Sequence, residues 1–225
     1  MLAREAPATR NCQLDDPAVR GHKRPRPEVL MQRKEPRSIS LVLGGVRSGK
    51  SRFAQELAEK ASSVAFVATA KAVDAEMEDK IRRHRQQRPK LWHTVEEPVE
   101  LARVLATHAP QFDLLLIDCL TIFVANALEE GRDAASRQIA AFLEGLRASE
   151  ASVVLVSNEV GSGIVPVYPS GRQFRDLLGE LNQKVAALAD SAVLMVAGLP
   201  LVLKGQMDPR LVSTERSEVP VKVQL

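Results

Sequence analysis

The chain has 225 residues, of which 45% are apolar and 26% charged, the balance of a soluble globular protein with a single core. Its two cysteines, Cys12 and Cys119, exclude a disulfide framework and fit a reducing compartment, so we expect a cytoplasmic protein. The sequence shows neither a membrane span of about 20 apolar residues nor a signal peptide.

Most of the positive charge lies at the amino terminus. The formal net charge is +3, but residues 1–38 hold nine Lys or Arg against five Asp or Glu, so the remainder is close to neutral. Residues 1–37 contain five prolines and no apolar periodicity, which predicts a flexible basic arm; Met31 is an alternative start. Because a nucleic-acid-binding fold needs a basic stripe on the fold itself, we expect no nucleic-acid partner.

Apolar runs and helical spacings alternate through residues 38–205, which we expect to form one domain, followed by a polar tail over residues 206–225. The patterns predict strands at 38–43, 63–69, 92–95, 114–117, 152–157, 192–197 and 201–204. They predict helices at 51–61, 74–87, 98–108, 119–129, 133–149 and 172–190, with Pro98 at a helix start. Such alternation predicts an α/β fold, a mostly parallel sheet with helices on both faces.

A phosphate-binding loop of the form G-x-x-x-x-G-K-[ST] is predicted at Gly44, Gly45, Val46, Arg47, Ser48, Gly49, Lys50 and Ser51. Glycines let the backbone turn its N–H groups toward phosphate oxygens, and the following helix adds a partial positive charge. We expect Lys50 to reach the β- and γ-phosphates of ATP or GTP and the Ser51 hydroxyl to ligate Mg²⁺. Because the pattern follows a predicted strand and opens a predicted helix, it indicates a P-loop NTPase fold of the RecA-like type.

Four further positions bear on phosphate chemistry. Asp118 ends an apolar run, where a carboxylate can hold Mg²⁺, although a helix N-cap is the alternative interpretation. His84 lies among four arginines near the end of a predicted helix. By itself it fits a solvated basic face, or else a nucleophile whose neutral form the arginines favour. Asn158 and Glu159 come at the end of a strand beside the P-loop crevice, where they could orient an acceptor hydroxyl or a metal-bound water.

Several segments together resemble one family, the bifunctional adenosylcobinamide kinase / adenosylcobinamide-phosphate guanylyltransferases of cobalamin biosynthesis. The resemblance spans residues 39–204 and includes the segments Leu43–Phe53, Phe66–Met77, Ile81–Pro89, Asp118–Thr121, Ser157–Pro166 and Phe174–Asp190. The most selective motifs are N-E-V-G-x-G-I-V-P and H-R-x-x-R-P.

The resemblance implies two reactions. The hydroxyl of adenosylcobinamide attacks the γ-phosphate of ATP or GTP. A histidine, matched by His84, then attacks the α-phosphate of GTP, and the guanylyl-histidine passes GMP to adenosylcobinamide phosphate to give adenosylcobinamide-GDP. The resemblance further implies a homotrimer, catalysis by His84 and Lys50, and nucleotide contacts from Ala68, Thr69, Ala70, Arg85, Gln86, Gln87, Arg88 and Glu96.

Some alternatives remain open at this stage. Glu96 fits the guanine edge, which offers N–H donors that adenine lacks, but also a helix-start carboxylate. The whole chain also fits a small-molecule kinase without nucleotidyl transfer, for which His84 would be surface. A RecA-like ATPase that binds nucleic acid through its basic arm is a third interpretation, which an aromatic content of 4% disfavours.

Overall fold

The structure is a computed structural model that describes residues 37–71, 82, 85, 88–206 and 211. The predicted arm and tail lie almost wholly outside these residues, so their boundaries stay predictions. The helix predicted at 74–87 also lies outside them, except for Arg82 and Arg85, which are helical.

Within the described residues, seven strands and five helices follow the predicted order. The strands are β1 Ile39–Gly44, β2 Val64–Ala68, β3 His93–Glu96, β4 Leu114–Asp118, β5 Ser152–Asn158, β6 Ser191–Val196 and β7 Leu199–Lys204. The helices are α1 Lys50–Ala58, α2 Leu101–His108, α3 Leu120–Glu129, α4 Arg132–Ala148 and α5 Pro169–Leu188. Helix α5 begins earlier than predicted, because Pro169 occupies its first turn, where a missing N–H costs nothing. None of the described helices is long and apolar enough to cross a membrane.

The strands form one sheet in the order β3-β2-β4-β5-β1-β6-β7. Every neighbouring pair is parallel except β6 and β7, which are antiparallel. Strand β1 lies between β5 and β6, and its last residue, Gly44, is opposite Asn158 on one side and Met195 on the other. The predicted, mostly parallel sheet is therefore confirmed.

Both faces of the sheet are covered. On one face Phe53 and Ala54 of α1 pack with Val42, Phe66 and other strand side chains. On the opposite face the strands pack against the four remaining helices through a larger buried cluster, which includes Leu101, Phe123, Phe142 and Leu181. Because successive strand residues point to opposite faces, strands buried on both sides read as continuous apolar runs.

The prediction that a helix starts at Pro98 is wrong, because α2 begins at Leu101. The Glu97 carboxylate accepts hydrogen bonds from the N–H groups of Val99, at 3.0 Å, and Glu100, at 2.9 Å, and thereby holds the turn that precedes the helix. Burial by itself raises the pKa of Glu97. The two N–H donors and the guanidinium of Arg103 outweigh burial and hold that pKa below its ordinary value.

We expect Glu97→Ala to lower the free energy of unfolding by about 1–2 kcal/mol at pH 7, because two N–H groups at the start of α2 lose their acceptor. A lowered pKa in the folded state stabilises the protein above the ordinary pKa of about 4.3, and this contribution is lost as the pH falls through the lowered value. Urea unfolding at pH 7 and at acid pH measures the free energy of unfolding of both proteins. The difference between wild type and variant should become smaller at acid pH. Glu100→Ala, at a mostly exposed carboxylate, is the control and should change stability much less; equal effects would contradict the capping role.

Candidate active site

The parallel register brings several predicted site residues to one edge of the sheet. Ala68, the last residue of β2, lies opposite Glu96 of β3 and Asp118 of β4. Gly44, which opens the P-loop, lies opposite Asn158 at the end of β5. Since ligands of open α/β sheets bind outside the carboxyl ends of the strands, this edge is the candidate site.

The first position of the P-loop has room only for glycine. A Cβ on Gly44 would overlap Ser48 Oγ and lie 2.7 Å from the backbone oxygen of Met195. Gly49 has φ of 92°, a left-handed conformation that favours glycine, and its carbonyl accepts the N–H of Phe53 at 3.0 Å as α1 begins. Lys50 Nζ donates a 2.9 Å hydrogen bond to the carbonyl of Gly45, so the ammonium lies over the loop backbone.

The turn between β6 and β7 supports the P-loop from behind. Gly198 N–H donates to the carbonyl of Ser48 at 3.0 Å, and a Cβ on Gly49 would lie 3.4 Å from the Cα of Gly198. The Ser48 side chain is buried, and its hydroxyl has no hydrogen-bond partner. Val46, at the tip of the loop, is exposed. The loop backbone is thus fixed on one side and open on the other.

A single buried hydroxyl joins the ends of β2 and β4. The Thr69 hydroxyl donates to the carbonyl of Cys119 and accepts the N–H of the same residue, both at 2.8 Å. The Asn126 side-chain amide of α3 donates to the carbonyls of Thr69, at 2.9 Å, and Pro98, at 3.1 Å. The Thr69 hydroxyl is therefore engaged within the protein, and this arrangement forms the floor of the crevice.

Asp118 is the final residue of β4 and does not cap the next helix. Cys119, and not Asp118, occupies the N-cap position of α3, so the helix-cap interpretation of Asp118 is wrong. Burial raises the pKa of the Cys119 thiol to about 11, and the charge of Asp118 acts in the same direction. The thiol therefore stays protonated at neutral pH and is unsuited to act as a nucleophile.

Arg88 lies close to the two strand-end carboxylates. Its guanidinium carbon is 3.6 Å from the centre of the Phe66 ring, a cation–π contact, and its Nε is buried without a hydrogen-bond partner. Burial lowers the pKa of Arg88, and the positive charge of Arg85 lowers it further. The negative charges of Asp118 and Glu96 raise that pKa, but by less. The guanidinium, which stays charged at any physiological pH, is therefore held at the carboxyl edge by stacking and by charge.

Glu96 points to the same region. Its carboxylate lies 3.8 Å from Arg85, and both side chains are mostly exposed. The helix-start role considered for Glu96 belongs to its neighbour Glu97. The predicted contacts of Ala68, Thr69, Ala70, Arg85, Arg88 and Glu96 with a nucleotide stay predictions, as does the role of each residue in the P-loop. His84, Gln86 and Gln87 lie outside the described residues.

A buried polar network behind the site was not predicted. The Asn182 side chain of α5 accepts a hydrogen bond from the Ser157 hydroxyl at 2.7 Å and donates to the carbonyl of Asn158 at 3.1 Å. The Thr121 hydroxyl accepts the N–H of Asn158 at 2.8 Å. Thus two helices hold the backbone of Asn158 beside the P-loop, where Gly44 O accepts the N–H of Glu159 at 3.2 Å. Such a network is signalled in the sequence by a polar residue within the apolar stripe of a helix. Asn182 and Asn126 are both residues of this kind.

Ser51 and Asp118 supply the oxygen donors that suit Mg²⁺. Across the described ranges no three His, Cys, Asp or Glu side chains come together in a metal-binding group. One hydroxyl and one carboxylate are donors of the kind that Mg²⁺ takes, since this ion typically binds few protein ligands and completes its shell with phosphate oxygens and water; the assignment of Ser51 and Asp118 as its ligands stays a prediction.

Known proteins resemble this chain in both sequence and fold. A family model described as "Cobinamide kinase / cobinamide phosphate guanyltransferase" matches residues 40–203. A Pseudomonas aeruginosa protein named "Bifunctional adenosylcobalamin biosynthesis protein CobP" is 43% identical over 74% of this chain and 97% of its own length. An Escherichia coli protein named "Bifunctional adenosylcobalamin biosynthesis protein CobU" is 38% identical over 73% of this chain and 98% of its own length.

A solved structure of low sequence identity resembles this chain in fold but not in sequence. It is a prototypical ATPase from the type III secretion system of pathogenic bacteria, 12% identical, with a TM-score of 0.50 over 79% of this chain and 59% of that one.

We expect Thr69→Val to lower the free energy of unfolding by about 1–3 kcal/mol, because the N–H and carbonyl of Cys119 lose a buried partner. Thr69→Ser keeps the hydroxyl and is the matched control, which we expect to lose only the contacts of one methyl group. Chemical denaturation of the three proteins is the measurement. If the Val variant were as stable as the Ser variant, the hydroxyl would not hold the crevice floor.

Proposed function

The chain belongs to the cobinamide kinase / cobinamide phosphate guanyltransferase family, and from this premise we propose how its residues carry out the two reactions. It is a bifunctional enzyme of cobalamin biosynthesis, which first phosphorylates adenosylcobinamide and then transfers GMP from GTP to the product. The observation that carries the proposal is the P-loop, which opens beside Asp118 and Asn158 at one edge of the sheet.

In the kinase step the hydroxyl oxygen of adenosylcobinamide attacks the γ-phosphorus of ATP or GTP. The bond from that phosphorus to the β–γ bridging oxygen breaks, and the nucleoside diphosphate leaves. The loop N–H groups and Lys50 hold and neutralise the phosphate oxygens, which is most of what such a transfer requires. Ser51 and Asp118 would hold Mg²⁺, which supplies further neutralisation of phosphate charge.

In the guanylyl step we assign the nucleophile to His84. A ring nitrogen attacks the α-phosphorus of GTP, pyrophosphate leaves, and a phosphoramidate forms. A phosphate oxygen of adenosylcobinamide phosphate then attacks that phosphorus, which breaks the P–N bond and yields adenosylcobinamide-GDP with free histidine. This assignment is supported by the likeness of Ile81–Pro89 to the family motif, and a covalent intermediate divides one transfer between two bulky anions into two steps.

The arginines that follow His84 suit the charges of this step. The Arg88 guanidinium carbon lies over the Phe66 ring, and its Nε–H has no acceptor in the protein, so the group is positioned before a phosphate arrives. Glu96 lies at the same edge with Arg85, where a carboxylate can accept hydrogen bonds from the N–H groups of guanine, which adenine lacks. We therefore assign Arg88 to phosphate and Glu96 to the base.

Other features of the proposal rest on the sequence. A kinase without nucleotidyl transfer is disfavoured by membership in a family whose description includes both activities. The homotrimer implied by resemblance, the cytoplasmic location and the lack of a nucleic-acid partner stay predictions.

We expect wild-type protein mixed with α-labelled GTP and Mg²⁺ to retain label after denaturation, and the label to be acid-labile and base-stable, as a phosphoramidate is. His84→Ala should carry no label while it still binds GTP, because only the nucleophile is removed. Equilibrium binding of GTP to both proteins is the control. Label on His84→Ala equal to that on wild type would refute the assignment of the nucleophile.

We expect Lys50→Ala to reduce kcat/KM for both reactions by about 10²–10³-fold, since both need their phosphates neutralised. Lys60→Ala changes an exposed lysine just beyond α1 and is the matched control, with both activities near those of wild type. The two reactions are measured separately, with adenosylcobinamide and with adenosylcobinamide phosphate. An effect on the kinase reaction alone would mean that guanylyl transfer uses another nucleotide site.

A further inference from the structure

The loop that follows β5 displays apolar side chains to solvent. We name residues 159–168 the rim loop. Within it the exposed fractions are 97% for Ile164, 56% for Val165, 85% for Val167 and 76% for Tyr168. Single exposed apolar residues are ordinary, but four within five positions form a patch that indicates a binding surface.

The rim loop is held at both ends. At its start the Glu159 carboxylate accepts the N–H of Gly161 at 2.7 Å. At its end Arg172 Nη1 donates to the carbonyls of Pro166, at 3.0 Å, and Val167, at 2.5 Å. These bonds restrict the two ends of the loop while its apolar side chains are exposed, an arrangement that lowers the entropy cost of binding.

The last turn of the rim loop also packs closely on helix α5. A Cβ on Gly171 would lie 2.8 Å from Cβ of Pro166, so the ring of Pro166 sits directly on the first turn of the helix. Tyr168 is the N-cap residue of α5, and its exposed phenol combines an apolar ring with a hydrogen-bonding group.

The position of the rim loop relates it to the acceptor of the kinase step. It leaves the sheet at Asn158, which pairs with Gly44, and the N–H of Glu159 donates to the Gly44 carbonyl at 3.2 Å. A substrate whose hydroxyl reaches the γ-phosphate on the P-loop must extend from the crevice past this point. The corrin macrocycle is attached to that hydroxyl through a side arm, so it extends outward from the crevice, toward the rim.

We propose that the rim loop binds the corrin ring of cobinamide, with Ile164, Val165 and Val167 against an apolar ring face and Tyr168 against the amide-bearing periphery. This inference rests on the proposed function, since it takes cobinamide as the acceptor. A second copy of this chain is the competing occupant. The other exposed apolar set, on the β6–β7 hairpin (Val196, Leu199, Leu201, Val202 and Leu203), is a more regular surface for such a contact.

The test uses full-length protein and cobinamide itself, a coloured corrinoid whose binding is measured by equilibrium dialysis. We expect the double variant Ile164→Ser/Val167→Ser to weaken cobinamide binding about tenfold or more, because two apolar contacts are lost. The KM for ATP should not change. Leu91→Ser is the matched control, since Leu91 is 98% exposed and lies outside the rim loop; it should bind cobinamide as wild type does. Circular dichroism and light scattering report the fold and the molecular mass of each protein.

The outcomes separate this inference from the proposed function. Weaker cobinamide binding with unchanged KM for ATP and unchanged mass supports the rim loop. Unchanged cobinamide binding overturns it, and so does a change in mass, which would assign the patch to a second copy. If wild-type protein binds cobinamide through the rim loop but transfers no phosphate to it, the inference stands and the proposed function fails.

Discussion

The parallel pairing of β1 with β5 and β6 is the constraint on which the site depends. Parallel strands all end at the same edge, so residues far apart in sequence, such as Gly44 and Asn158, meet there without any contact between their side chains. The turn at Gly44 then needs close approach to the backbone of Met195 on the other neighbouring strand. Strand pairing therefore determines the position of the P-loop. The absence of a Cβ on Gly44 allows the loop to adopt that position.

Charge around the crevice is arranged in opposing pairs and not as one basic patch. Arg88 faces Asp118 and Glu96, while Arg85 lies near Glu96. An arginine that stacks on Phe66 keeps its donors in one plane, which suits a phosphate, and the carboxylates limit the repulsion between neighbouring guanidinium groups.

The fold class, the succession of strands along the chain and the family could be predicted from the sequence, and all three are confirmed. The order of the strands within the sheet was not predicted. Periodicity and the P-loop pattern are local signals, so they could be recognised in one chain. The start of α2 was misplaced because the Glu97 carboxylate, and not Pro98, organises that turn. The links from Thr69 to Cys119 and from Asn182 to Asn158 span 50 and 24 residues, and such partners are determined by tertiary packing and not by local pattern.

The bonds at Thr69 and Asn126 have a mechanical consequence. They tie the ends of β2 and β4 to α3 and to the segment that precedes α2, so that this half of the crevice moves as one body. An enzyme that performs two transfers in succession has to shift its reactants between them. With the floor held by these bonds, we expect such displacement to involve the surrounding loops and not the ends of β2 and β4.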